Sequence, residues 1–96
     1  MADEAALQRD ISSAYTRAGW ICLKKHPGGT IPKGWPDQEC YGSGGRHVFI
    51  EVKDPDDPEP DAIQAWVHDA LRRLGHKVIV ATTLEQATEP IQEESR

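Results

Sequence analysis

The sequence predicts an α/β domain built on a small mixed central sheet flanked by helices, and three observations carry that expectation. Leu7, Ile11, Ala14, Tyr15 and Ala18 recur at the spacing of one helix face. Two alternating stretches, 37–41 and 47–53, are joined by Gly42-Ser43-Gly44-Gly45, a hairpin turn that makes them antiparallel neighbours. A second helical stretch then leads to Lys77-Val78-Ile79-Val80-Ala81, an apolar run rich in branched residues, which reads as a buried strand reached by a crossover.

In chain order, the first helix spans 3–18 with Asp3 as N-cap and Gly19 as its stop. Glu4 precedes Leu7 by three residues and Ile11 by seven, which puts a carboxylate on the inward stripe. Two readings stay open for it: a metal or water ligand at the rim of a site, or an acid complementing the helix dipole. A strand follows over 20–25, then a loop over 26–34 whose Pro27, Gly28, Gly29 and Pro32 leave no regular period. Pro36 cannot sit inside a central strand, so Asp37 begins the next one. In the third strand Val48, Ile50 and Val52 alternate with His47, Phe49, Glu51 and Lys53, so Glu51 and Lys53 point the same way. An acidic loop over 54–61 precedes a helix with Asp61 as N-cap, a predicted core stripe of Ile63, Val67, Ala70 and Leu74, and a stop at Gly75. After the strand at 77–81, residues 84–91 read as a last helical turn or two, and 92–96 as a polar, acidic tail on a single domain whose core is 3–91.

The chemistry concentrates on one strand face. Side chains two apart on a strand are about 7 Å apart at their roots, so one water can touch both Glu51 and Lys53. With Asp37 on the paired strand, two carboxylates converge on a space that attracts a divalent cation through hard oxygen ligands, and Lys53 faces the attacking water. Pro36-Asp37, then Glu51-Val52-Lys53 after 13 intervening residues, resembles the PD-(D/E)XK nucleases. The helix bearing Glu4, the Gly-rich approach to Trp35-Pro36-Asp37 and Gln64 at the start of the next helix together resemble the small virus-type replication-repair nuclease (VRR-NUC) domains of that superfamily over about residues 4–88. The departure is the acidic stretch 54–61, which stands where a shorter, Gly-containing loop is expected.

The resemblance implies a restriction-endonuclease-like core and a Mg2+- or Mn2+-dependent DNA endonuclease. Asp37, Glu51 and the Val52 carbonyl ligate the metal, Glu4 completes the outer ligation, Lys53 orients the water and helps deprotonate it, and Gln64 contacts the lysine or the nucleophile's surroundings. Gln64 has a second reading, because it occupies the capping-box position behind Asp61.

Charge looks unfavourable at first: the 96 residues carry a formal net charge of −5, whereas DNA is bound largely through phosphate neutralisation. The distribution reverses that, since residues 15–53 set Arg17, Lys24, Lys25, Lys33, Arg46 and Lys53 against only Asp37, Glu39 and Glu51. Lys25, Lys33, Trp35 and Arg46 are the candidate DNA contacts, with Trp35 stacking on a base or else packed at the edge of the core. A chain this small has no surface for a separate sequence-reading domain, so branched DNA is the expected partner, and a twofold homodimer matches a four-way junction. The rival classes are a DNA- or replication-protein-binding module with a nuclease-like fold, and an acidic DNA mimic. No apolar run approaches the ~20 residues of a membrane span, and the acidic start lacks a signal peptide's apolar stretch, so a cytoplasmic protein is expected; its single-domain form points to a phage-like genome. Cys22 and Cys40 sit singly, as packing thiols, and the four histidines show no zinc-ligand spacing.

Overall fold

The computed structural model describes residues 3–25 and 30–94. Helix α1 (Glu4–Arg17) is followed by β1 (Ile21–Lys24), β2 (Gln38–Tyr41), a 3-10 turn (Ser43–Gly45), β3 (His47–Val52), α2 (Ala62–Arg73), β4 (Lys77–Ala81), α3 (Leu84–Ala87) and α4 (Glu89–Glu94). The sheet order is β1-β2-β3-β4. The first two pairings are antiparallel and β3–β4 is parallel, which is the mixed sheet expected. Among the described residues no helix is long and apolar enough to cross a membrane.

Helices cover both sheet faces. On one, Ile11 and Tyr15 of α1 and Ala87 of α3 pack against Cys40, Val48, Ile50, Val52 and Ala81. On the other, Val67 and Leu71 of α2 pack against Phe49 and Val78, with Trp35 at the margin. Strand β3 is therefore buried on both sides from Val48 to Val52, and the side of the alternation that carries Glu51 is as dry as the other. A buried carboxylate of this kind costs free energy unless something compensates it.

Three expectations are corrected. The buried stripe of α2 is Val67, His68 and Leu71, not Ile63, Val67, Ala70 and Leu74: Ile63 is 52% and Leu74 76% exposed. The stripe was displaced because it contains polar side chains, which an apolar count passes over. Glu4 is exposed instead of inward; Asp3 caps α1 through Ala5 and Ala6 N–H, and the buried face begins a turn later. Residues 92–94, expected as solvated tail, belong to α4, and Glu94 accepts a 2.6 Å hydrogen bond from Trp20 Nε1.

Candidate active site

The approach to Asp37 depends on one glycine. Trp35 N–H donates to the Pro32 carbonyl across a turn, and Gly34 there has φ +83°, where a Cβ would stand 2.8 Å from Ile63 Cγ2 and 2.9 Å from the Ile63 carbonyl oxygen. Only glycine combines that backbone with so close an approach to the start of α2. Of the loop expected over 26–34, residues 26–29 lie outside those described.

The register supplies what the sequence left open. Gln38 pairs with Ile50, so the next position sets Asp37 opposite Glu51. Asp37 Oδ2 accepts a 2.8 Å hydrogen bond from Val52 N–H. Its Oδ1 lies 3.8 Å from Lys25 Nζ, which also donates to the Trp35 carbonyl at 3.0 Å. Lys25, expected as a phosphate contact, is thus seated on one of the two carboxylates.

Glu51 is 2% exposed. Its Oε2 accepts from Gln64 Nε2 at 3.3 Å, and its Oε1 lies 3.5 Å from His68 Nε2. Among the described residues Oε1 has no hydrogen-bond partner, and neither ring nitrogen of His68 has one. Burial first, then the neighbouring Asp37 charge and a hydrogen bond to it, push Glu51 up to about 8, with Lys25 and Lys53 pulling weakly the other way. Burial, with Arg72 and Lys53 adding to it, holds His68 below its ordinary value; the ring is neutral at neutral pH, and its contact with Glu51 is no ion pair. Lys53 lies one residue past β3, half-buried, its N–H bonded to the Ala81 carbonyl at 2.9 Å.

Gln64 forms the expected capping box and also reaches Glu51. Its N–H donates to Asp61 Oδ1 at 2.8 Å and its Oε1 accepts from Asp61 N–H at 3.0 Å, which is the capping box; its amide nitrogen remains free to reach Glu51. Two carboxylates crowded together in a dry site, with one oxygen unbonded, make a donor set that fits a hard cation. No cluster of three or more His, Cys, Asp or Glu side chains able to hold a metal occurs among the described residues. The carboxylates that meet there are two, Asp37 and Glu51.

The fold matches that of a solved structure described as a VRR_NUC domain, with TM-score 0.78, 27% identity, and coverage of 93% of this chain and 94% of that one. The chain has a VRR-NUC fold. A Holliday junction resolvase, Hjc from the archaeal hyperthermophile Archaeoglobus fulgidus, matches with TM-score 0.52 and 21% identity over 79% of this chain. The chain spans 63% of that resolvase's length, and the likeness there is one of fold. No protein-family model and no curated protein matches the sequence.

Within this VRR-NUC fold Asp37, Glu51, Gln64 and Lys25 converge, and Lys53 is close enough for its charge to act on both Glu51 and His68. Glu4 does not join them: no hydrogen bond or ion pair links it to Asp37 or Glu51 among the described residues. Trp35 packs edge-on against Phe49 at 5.4 Å and donates to Glu39, so its place is the edge of the core; Lys33 is exposed on the approach turn. Arg46 sits at the far end of β3, roughly 16 Å along the strand from Glu51, over the Trp20 ring and beside Glu93 and Glu94. The residue missed from sequence is His68. Its signal was present, because Gln64 and His68 are four apart on one helix face, but that face was not recognised as buried.

Proposed function

We propose that the protein is a Mg2+- or Mn2+-dependent endodeoxyribonuclease that cuts branched DNA, four-way junctions among its substrates, as a homodimer. The observation that carries this is Glu51, buried beside Asp37 with an unbonded oxygen and with Lys53 two residues on, just past the end of the strand. Asp37, Glu51 and the Val52 carbonyl hold the cation, which when bound lowers the pKa of a water and offsets charge on the phosphate. Gln64 holds one oxygen of Glu51, and the His68 ring stands beside the other. Lys25 holds Asp37 in place, Lys53 orients the attacking water, and Lys33 meets backbone phosphates from the approach turn. The likeness to nuclease-fold structures supports the reading. The homodimer is supported by β1, an edge strand whose Ile21 and Leu23 are 66% and 53% exposed, an apolar margin that a second copy would cover.

The test is to incubate wild type and Lys53→Ala with labelled four-way junction, flap, single-stranded and linear duplex DNA in Mg2+, Mn2+ or EDTA, with the mass determined by sedimentation. Junction cleavage by wild type, lost in EDTA and reduced by about 10²–10³-fold in the variant, is expected. Binding without cleavage in either metal overturns the reading and leaves a binding module; junction cleavage by a species of monomer mass overturns the dimer alone.

A further inference from the structure

The α1 side of the sheet holds a pair of groups that the site does not use. Cys22 and Cys40 are direct partners in the β1–β2 ladder. Lys25 N–H donates to the Asp37 carbonyl, which makes that a hydrogen-bonded pair. Three positions along, Cys22 and Cys40 fall on a non-hydrogen-bonded pair, the type with Cα atoms about 4.5 Å apart and side chains closest. That spacing lies within the range a disulfide bridges. Their sulfurs are 2.9 Å apart and both thiols are free.

The two are not equivalent. Cys40 is fully buried, whereas Cys22 is half-buried at the edge strand. Ser12 Oγ and Gln38 Nε2 donate toward Cys22 Sγ at 3.6 and 3.7 Å, which favours its thiolate. The hydrogen bond from Cys40 is the largest influence in the same direction, and with these two it brings Cys22 down to about 7 against the opposing effect of burial. A small oxidant reaches Cys22 first and finds a resolving thiol already in contact.

We propose that Cys22 and Cys40 form a peroxide-reactive dithiol, a modification site at which a reversible disulfide closes between β1 and β2. Cys22 thiolate attacks one peroxide oxygen; the O–O bond breaks, hydroxide leaves, and Cys22 becomes a sulfenic acid. Hydroxide takes the Cys40 proton to give water, and the Cys40 sulfur displaces a second hydroxide from Cys22 as the S–S bond forms. That hydroxide takes up the proton Cys22 had released. Two thiols are oxidised, one hydrogen peroxide is reduced, and two waters result. The bridge closes a loop of 17 intervening residues and ties the strand carrying Lys25 to the strand led by Asp37. It does not depend on the nuclease reading.

The test treats reduced full-length protein with hydrogen peroxide and follows intact mass, non-reducing peptide maps and thermal unfolding. The expected result is a loss of about 2 Da, a peptide joining Cys22 to Cys40, and a rise in Tm on the order of 10 °C, all reversed by dithiothreitol. Cys40→Ala should instead trap a sulfenic acid on Cys22 that dimedone labels, with no rise in Tm. The wild-type mass and map decide the matter even if that variant fails to fold. Two thiols left free in excess peroxide, over-oxidation of Cys22 without a bridge, or disulfides formed only between chains would overturn the proposal.

Discussion

The two faces of β3 have different occupants. Toward α1 the strand presents Val48, Ile50 and Val52 to an apolar cluster, and the polar side chain buried there, Gln38, ties itself to α1 by donating to the Gln8 carbonyl at 3.0 Å and to Ser12 Oγ at 2.8 Å. Toward α2 the same strand presents Phe49 and Glu51, and α2 answers with Val67 and Leu71 but also with His68, leaving Glu51 Oε1 and both His68 nitrogens without partners among the described residues. Burial is equal on the two sides, and among the described residues unpartnered polar atoms occur on both: Gln38 Oε1 toward α1, and Glu51 Oε1 with both His68 nitrogens toward α2. The α1 face buries an uncharged amide tied to its helix by two hydrogen bonds, whereas the α2 face buries an ionisable carboxylate beside an unpartnered imidazole, which folding alone does not favour.

The comparison is tested most severely at Glu51. Its folded pKa, about 8, lies above the ordinary 4.5, so between those values the folded state holds more protons than the unfolded chain. Without metal, stability therefore falls as pH rises from about 4.5 to about 8, by an amount on the order of a few kcal/mol. Glu51→Gln is expected to remove most of that slope and to raise Tm at pH 8, while reducing metal-dependent junction cleavage by several orders of magnitude. Urea titrations across pH, run beside the cleavage assay, check both. A variant that loses stability at pH 8 would show that Glu51 serves the fold, and the contrast between faces would collapse.

The difference between the faces also sets what the sequence could reveal. Both strand alternations, the hairpin and the crossover were legible because apolar periodicity and glycine placement report directly on backbone and core. Asp37, Glu51 and Lys53 were legible as a group because they sit on or beside those strands. Register was not, since a two-residue slip along β2 keeps every side chain on its own face; the β2–β3 ladder sets it, and the Val52 N–H bond to Asp37 agrees with it. The α2 stripe failed at the site itself, where Gln64 and His68 replace the apolar residues that the periodicity seeks. Arg46 and Lys25 were classed by charge alone, and only tertiary packing shows one against α4 and the other on Asp37.

A smaller effect sharpens the contrast at His68. If the ring serves to hold Glu51 for a cation, His68→Ala should lower junction cleavage about 10–100-fold, with most of the loss recovered at higher Mn2+ and little change in junction binding. His68→Gln, whose amide can donate to Oε1, should restore part of the activity. A ring that merely fills space would give a lower Tm in both variants and an unchanged metal requirement, so metal titrations of the cleavage rate separate the two roles.

The smallest effect is expected at Arg46, the candidate DNA contact lying farthest along β3 from Glu51. Its guanidinium lies 5.1 Å from the Trp20 ring centroid, with Glu94 at 3.4 Å and Glu93 at 3.8 Å, and its partners are partly solvent-exposed, where such pairs are worth about 0–1 kcal/mol. Arg46→Ala should therefore lower stability by no more than about 1 kcal/mol, loosen α4, and leave cleavage and the salt dependence of junction binding unchanged. If Arg46 instead reached a phosphate, the slope of log affinity against log salt would fall by about 1 on its removal. The salt titration consequently decides whether the basic segment of the sequence is one DNA-facing surface or two regions, one neutralising the acids of α4 and the other, with Lys25 and Lys53, set about Asp37 and Glu51.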